Sequence, residues 1–314
     1  MTTGPRVILG MAAYNRPDTL ARTLESLLAQ TYRDFAVHIV DDGPSPAVQA
    51  IIDAYTALDP RITYEANDGR LGMIDNWRKA FTRARQLYPG SEYFAWVSDH
   101  DIWHPRWLEV LVPALDERPE VVMAYPQMQR IYTQEDRRFI TRRFETVGMV
   151  KPTERLRRAI TYLTAGNAVY GLFRISAMLQ AGVFRRVLAP DRQLLMELTL
   201  LGEFRHVPEM LWYREVAGNF SLKRQRQMLF SARPPLYSYL PPIIQHFGLL
   251  LWDFGARGNG RSAFGRLKGS WYAVLFLGYS LRREMVHDEA WWRKVLARTA
   301  LGRVLQRRND EAAA

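Results

Sequence analysis

Four short strand-like runs, at residues 7–13, 35–40, 62–65 and 92–97, are separated by segments whose apolar side chains recur with helical spacing. After the first run, Leu20, Leu24, Leu27 and Leu28 fall on one face of a helix that opens at Asp18-Thr19-Leu20. The second run ends in the turn sequence Asp41-Asp42-Gly43-Pro44, and Val48, Ile51, Ile52 and Tyr55 mark another helix. Asn67-Asp68-Gly69 then turns the chain into a third helix, from Asn76 to Leu87. Strands and helices alternating in this way bury their apolar faces in a mostly parallel sheet covered by helices on both sides. An α/β fold with a Rossmann-like sheet is expected, continuing through Val121-Val122-Met123-Ala124-Tyr125. A ribbon or loop plus a helix is expected between residues 133 and 158.

The fourth run ends in Ser98-Asp99-His100-Asp101, and Ile102-Trp103-His104-Pro105 then leads into a helix with proline in its first turn. Two carboxylates one residue apart therefore stand at the carboxyl edge of a strand, where open α/β sheets bind ligands. Such a pair can share Mg2+ or Mn2+ with a diphosphate, whereas capping the next helix would need only one of them. The turn after the first strand reads Gly10-Met11-Ala12-Ala13-Tyr14-Asn15-Arg16, without the glycines of a dinucleotide fingerprint, and no Walker A sequence occurs. A diphosphate held here would have to be neutralised by a metal and by basic side chains.

Charge divides the chain. The net charge is +1 over residues 1–215 and +10 over residues 216–314. The basic third is interleaved with Leu249-Leu250-Leu251-Trp252, the apolar run 271–277 and Trp291-Trp292. Only 13 uncharged residues separate Lys268 from Arg282, and the 19 between Arg233 and Asp253 include four prolines. Neither stretch suits a bilayer-spanning helix. Residues 216–314 are expected to form a helical, basic, amphipathic extension lying on an anionic membrane surface; packing on the preceding sheet domain, or on a second copy in a homodimer, is the alternative. The absence of cysteine excludes a disulfide framework, a thiolate metal site and a cysteine nucleophile. The first residues carry no signal-like apolar run, so the cytoplasm, at the inner face of the membrane, is the expected location.

Four segments, Ala13-Tyr14-Asn15-Arg16-Pro17, Leu24-Glu25-Ser26-Leu27-Leu28-Ala29-Gln30-Thr31-Tyr32, Val40-Asp41-Asp42-Gly43 and Ser98-Asp99-His100-Asp101, carry a resemblance. In this order and spacing they resemble the family 2 glycosyltransferases, inverting enzymes of the GT-A fold, over roughly residues 6 to 215. The resemblance implies a catalytic domain at residues 1–215, with a nucleotide-sugar-binding half to about residue 125 and an acceptor half beyond it. It also implies a nucleotide-diphosphate sugar donor, a divalent metal (Mn2+ or Mg2+) and a hydroxyl acceptor on a glycan, a lipid-linked sugar or another cell-envelope component.

By position in the family's motifs, Tyr14 would lie against the nucleobase, Asp42 would accept a hydrogen bond from base or ribose, and Asp41 would support that turn. Arg70 and Asn76 would face the nucleotide and sugar sides of the donor. The metal motif departs from the common spelling, with His100 where another Asp is usual. Asp99, His100 and Asp101 remain the ligand candidates, alone or in pairs, with Asp101 first, Asp99 next and His100 supporting them or touching the base. Ala189-Pro190-Asp191-Arg192 resembles the start of the helix that bears the catalytic base, so Asp191 is the expected base and Glu197 a weaker candidate. The segment from Thr164 to Arg174, with Gly166 and Gly171, resembles the part that passes beneath the acceptor, and the run from His206 to Arg214 the strand that closes the domain. Many relatives carry a histidine just after that strand; here Glu215-Val216-Ala217-Gly218 leaves Arg214 or Lys223-Arg224 to meet the anionic load.

Two other readings compete. A sugar nucleotidyltransferase would need a basic, glycine-rich loop where this chain has Met11-Ala12-Ala13. A non-catalytic sheet domain with a nucleic-acid-binding basic tail would have no need of the acidic residues, and they are present, so no nucleic-acid partner is expected.

Overall fold

The computed structural model describes residues 4–132, 137–140, 143–163, 168–216, 221–230 and 234–287. Gly166, Ala217-Gly218 and Trp291-Trp292 lie outside them.

The expected alternation is present. Strand β1 (Val7–Ala13) is followed by α1 (Pro17–Leu28), β2 (Phe35–Asp41), α2 (Pro46–Leu58), β3 (Ile62–Ala66), α3 (Met73–Leu87) and β4 (Tyr93–Val97). Strand β1 pairs in parallel with β2 and β4, and β2 with β3. The central strands are buried on both faces, which is why they read as unbroken apolar runs. Gly10 is required in β1, because a Cβ there would fall 2.8 Å from the Phe94 ring on the neighbouring strand. The carboxyl ends of β1, β2 and β4 meet along one edge of the sheet.

Beyond β4 the pairing changes direction. After β5 (Ile102–Trp103), α4 (Trp107–Asp116), β6 (Val121–Tyr132), β7 (Arg137–Ile140), α5 (Pro152–Tyr162) and β8 (Leu172–Arg174), the chain forms α6 (Ile175–Ala181), α7 (Pro190–Leu201) and β9 (Glu203–Val216). The sheet order is β3-β2-β1-β4-β8-β6-β9-β5, with β7 paired to β6. Strand β8 runs antiparallel to both β4 and β6, while β6 and β9 pair in parallel with register shifts around Pro126, which lacks the N–H a regular ladder needs. The short β5 pairs antiparallel with β9, Ile102 opposite Tyr213 and Trp103 opposite Trp212. That pairing keeps the chain extended, so α4 begins at Trp107 rather than at Pro105.

Helix α7 is buried from Gln193 to Leu200 without a break, so it must be covered on both sides. Helices α5 and α6 pack against it. The C-terminal elements follow: α8 (Leu222–Phe230), a 3-10 turn (Leu236–Tyr239), α9 (Pro242–Leu250), a π-helical turn (Leu251–Ala256), α10 (Arg261–Phe264) and α11 (Arg266–His287), the last of which also packs on α5. Leu250, Phe254, Tyr272 and Phe276 join the same hydrophobic cluster as the sheet strands. The described part of the basic extension is thus helical and shares one hydrophobic core with the sheet. No described helix is long and apolar enough to cross a membrane.

One buried cation ties α5 to the end of α7. The Arg155 guanidinium donates to the carbonyls of Thr199 (2.8 Å) and Leu200 (3.0 Å) in the last turn of α7, and to those of Met149 (2.7 Å) and Val150 (2.9 Å). The first two are helix-end acceptors with no partner inside their own helix. Arg155→Met should lower unfolding stability by about 2–4 kcal/mol. Arg155→Lys should recover only part of that, since an ammonium cannot reach carbonyls on both sides. Urea denaturation of the three proteins checks both expectations.

Candidate active site

The acidic loop after β4 is held by side chains rather than by regular structure. Thr19, Thr23, Ser26 and Gln30 form a polar stripe along and just past α1, at spacings that keep them on one side of the helix. The Thr19 hydroxyl donates to the Asp99 carbonyl and the Thr23 hydroxyl to the Asp101 carbonyl, both at 2.9 Å. Ser26 Oγ accepts from the Trp103 N–H (3.3 Å). The Gln30 amide donates to the His104 carbonyl (2.8 Å) and accepts from the Leu108 N–H (3.0 Å). In the sequence these four residues are visible only as polar side chains at helical spacing beside the leucines of α1.

The loop presents its two carboxylates differently. Asp99 Oδ2 accepts from the Tyr14 N–H (2.9 Å), and Oδ1 lies 2.8 Å from His100 Nδ1 and 3.8 Å from Arg16 Nε. Asp101 is fully buried: Oδ2 accepts from the Trp212 indole (3.1 Å) and Oδ1 from the Glu215 N–H (3.2 Å). Burial raises its pKa, against the pull of His100 and Arg214. His100 Nε2 is 3.7 Å from Asp101 Oδ1, so the imidazole stands between the two carboxylates. Among the described residues, no group of three or more His, Asp or Glu side chains is arranged to hold a metal by itself.

Tyr14 borders the same edge, partly exposed, with Arg70 stacked over its ring at 4.6 Å. Its ring lies so close to Gly43 that a Cβ there would come within 2.8 Å. Asn15 takes a left-handed conformation (φ 47°), which a short amide side chain tolerates, and the chain turns from β1 into α1.

Asp42 and Asn76 both make hydrogen bonds within the protein at the carboxyl edge of β1 and β2. Asp42 accepts from the N–H groups of Leu71 (2.6 Å) and Gly72 (2.8 Å) and from the Asn67 amide (3.0 Å), so its carboxylate anchors the loop that carries Arg70. Asn76 is 2% exposed; its amide donates to the Ala13 and Val40 carbonyls at the ends of β1 and β2 and accepts from Asn67. Asp41 is fully buried and accepts from the Gly43 N–H (2.9 Å), with burial raising its pKa.

Asp191 sits in the first turn of α7, after Ala189 in a left-handed conformation (φ 50°) and Pro190. Burial raises its pKa, opposed by the Arg192 N–H and by the Arg214 guanidinium. Arg214 stacks over Tyr170 (5.3 Å) and Trp212 (5.7 Å), and its charge also bears on Asp101. The strained entry to α7 is held by the C-terminal helices. The Ala189 N–H donates to Gln225 (3.0 Å), the Leu188 N–H to Gln245 (3.1 Å), and His246 Nε2 lies 2.7 Å from the Leu188 carbonyl.

Glu197, the weaker base candidate, lies elsewhere. It is fully buried, accepts from the Gln193 amide (2.8 Å) and stands beside Asp253, which is paired with Arg185. Burial and the Asp253 charge hold its pKa well above the usual carboxylate range.

Two outcomes test these contacts. Thr23→Val leaves the Asp101 carbonyl unpaired and should cost about 1–3 kcal/mol, with Gln30→Leu costing at least as much, as read by urea denaturation. A folded-state acid with a raised pKa stabilises the fold at low pH and loses that contribution as pH climbs through it. Glu197→Gln should therefore flatten the fall of the denaturation midpoint on the alkaline side of the ordinary carboxylate range.

The model of the family described as Glycosyl transferase family 2 matches residues 9–181. Among curated proteins, protein CgeD of Bacillus subtilis is 24% identical over 136 residues, 42% of this chain and 31% of its own. An uncharacterized glycosyltransferase of Methanocaldococcus jannaschii, MJ1057, is 36% identical over 107 residues, 33% of this chain and 35% of its own. A glucosyl-dolichyl phosphate glucuronosyltransferase of Haloferax volcanii is 27% identical over 116 residues, 37% of this chain and 35% of its own. The chain spans about a third of the length of these curated relatives.

Two solved structures share the fold. One is residues 1–349 of S. aureus TarS in complex with UDP-GlcNAc, at TM-score 0.62 and 14% identity over 92% of this chain and 75% of the other. The second is the mannosyltransferase PcManGT of Pyrobaculum calidifontis in complex with GDP-Man and Mn2+, at TM-score 0.53 and 16% identity over 97% and 84%. The segment matched by the family model runs from within β1 through the acidic loop to the end of α6, more than half of the chain, and stops before Asp191. By that match, and with a sheet of the GT-A kind, the chain belongs to glycosyl transferase family 2.

Proposed function

We propose that this chain transfers a sugar, with inversion, from a nucleoside-diphosphate donor to the hydroxyl of a glycan or lipid-linked acceptor. The observation that carries the reading is the convergence of Tyr14, Arg70, Asp99 and Asp101 at the carboxyl edge of β1 and β4, beside the point where the sheet changes direction. Tyr14 offers an aromatic face to a nucleobase, and Arg70, anchored through the loop on Asp42, can turn from that face to a phosphate.

The donor set suits a divalent cation that arrives with its substrate. Asp99 and Asp101 would hold it, and Mg2+ or Mn2+ is commonly bound by one or two carboxylates completed by phosphate oxygens. Such an ion would draw off charge from the departing diphosphate. Both Asp101 oxygens already accept one hydrogen bond, which fixes their direction and leaves lone pairs for a cation. Arg214 lies on the same side and is the protein's own candidate for neutralising the diphosphate.

Asp191 is the proposed base. In its ionised form it takes the acceptor hydroxyl proton as the oxygen bonds to the anomeric carbon from the side opposite the diphosphate; the bond to the diphosphate breaks and its electron pair leaves with that group. A pKa raised by burial brings the carboxylate closer to the working pH, where a base is more effective. A lipid-linked acceptor is the preferred subclass, in keeping with the dolichyl phosphate in one relative's name. Action at the inner face of a membrane follows from that choice.

Thermal stabilisation by UDP, GDP, dTDP and CDP, each with and without Mn2+, tests the donor site. One nucleotide should raise the melting temperature in a metal-dependent way. Asp99→Asn can keep the Tyr14 N–H bond through its carbonyl oxygen, so it should fold and lose the metal dependence. Asp191→Asn should retain nucleotide binding while sugar transfer falls about 10²- to 10⁴-fold. The native rate should decline as pH drops through a pKa above the usual carboxylate range. Absence of stabilisation by every nucleotide would overturn the reading.

A further inference from the structure

Eleven of the nineteen large apolar side chains exposed among the described residues lie between Met228 and Val274, although most of the described chain precedes them. Helix α11 explains part of this. Tyr272, Phe276 and Ser280 face inward, while Leu267 (88% exposed), Trp271 (55%) and Val274 (49%) form a stripe one and two turns apart on the outside. The helix is therefore apolar on two sides, and only one of them is used by the core. The π-helical turn crosses α11 so closely that a Cβ on Gly269 would meet the Phe254 carbonyl. Exposed Trp252 and Trp271 each stand within two residues of that crossing.

The charge around this face is mostly positive, with Glu284 near the far end of α11. Arg257, Arg261, Arg266, Lys268 and Arg282 are all exposed. The sole acidic residue between positions 234 and 283 is Asp253, which is 3% exposed and paired with Arg185 at 2.6 Å. We propose that the outer face of α11, with the adjoining π-helical turn, docks on an anionic lipid bilayer, Leu267, Trp252 and Trp271 entering the headgroup boundary and the arginines meeting lipid phosphates.

Aliphatic Leu267 and Val274 at the centre favour lipid over nucleic acid, which rewards stacking aromatics. Tryptophan ringed by Arg and Lys is the composition of a helix lying in the interface plane. The inward side of α11 is committed to Phe254 and Phe264, so the helix lies on the membrane and keeps its packing. The same C-terminal helices hold Leu188-Ala189, one residue before α7, so docking orients Asp191 relative to the bilayer. The inference stands independently of the donor chemistry.

Sedimentation of the full chain with vesicles tests it, using phosphatidylcholine alone or with about one third phosphatidylglycerol. The native protein should partition onto the anionic vesicles about tenfold better than onto neutral ones, and salt should weaken the binding. Leu267→Ser/Trp271→Ser/Val274→Ser should weaken it about tenfold with an unchanged circular dichroism spectrum and melting temperature. Arg266→Gln/Lys268→Gln, which gives up the Lys268 contact over the Phe264 ring (5.8 Å) but leaves the outer apolar side chains in place, should reduce both the binding and its salt sensitivity. Equal binding to both vesicle types, or native-like binding by both variants, would overturn the proposal. A native dimer that the triple variant converts to monomer would assign the face to self-association, and salt-sensitive binding of single-stranded RNA without vesicle binding would assign it to nucleic acid; either result overturns the proposal.

Discussion

The polar stripe of α1 is the constraint on which the site depends. A segment that leaves β4, turns through two carboxylates and enters α4 has no ladder of its own apart from the two residues of β5. Buried backbone groups without partners cost a few kcal/mol each, so such a loop would not stay inside the fold unless something else met its hydrogen bonds. Thr19, Thr23, Ser26 and Gln30 do so at five successive points from Asp99 to Leu108. The helix therefore has two tasks on neighbouring faces: its leucines pack on the sheet, and its hydroxyls and amide fix where Asp99 and Asp101 stand. A change in the tilt of α1 would move both carboxylates together.

The parts of this structure legible in the sequence are those governed by local pattern. Unbroken apolar runs gave β1, β2 and β4, and the leucine spacing after Pro190 gave α7, because burial on both sides of a strand or along a helix leaves a periodic trace. The acidic loop stood out for the opposite reason, as charge where a strand should end. What stayed hidden rests on contacts between distant residues. Strand β5 is two residues long and exists because Trp103 meets Trp212, more than a hundred positions away. Asn76 looks like an ordinary polar helix residue until β1 and β2 bring the Ala13 and Val40 carbonyls to it. Asp42 likewise reads as a turn residue, and its hydrogen bonds to the 67–72 loop exist only once the chain has folded.

The C-terminal helices show why composition alone left two options open. Membrane contact and packing on the catalytic domain looked like alternatives, because one amphipathic stripe can serve only one partner. Helix α11 carries apolar residues on opposite sides, and the inward side, with Gln225, Gln245 and His246 on the neighbouring helices, supports the entry to α7. Packing on the core thus leaves the outer side of α11 in solvent. The one acidic side chain in the middle of this region is turned inward to Arg185 and Glu197, which keeps negative charge off that surface.

Charge balance accounts for the departure at His100. Asp99, Asp101 and Asp191 lie close enough that Tyr170 senses all three, in surroundings where burial raises the pKa of the last two. A third carboxylate at position 100 would add repulsion where desolvation is already costly. An imidazole between Asp99 and Asp101 relieves it, and Arg16 and Arg214 on either side continue the compensation. Arg16 and Arg214 bring fixed positive charge to the same acids, so the balance at this edge is set jointly by the turn after β1, by β9 and by the loop between β4 and β5.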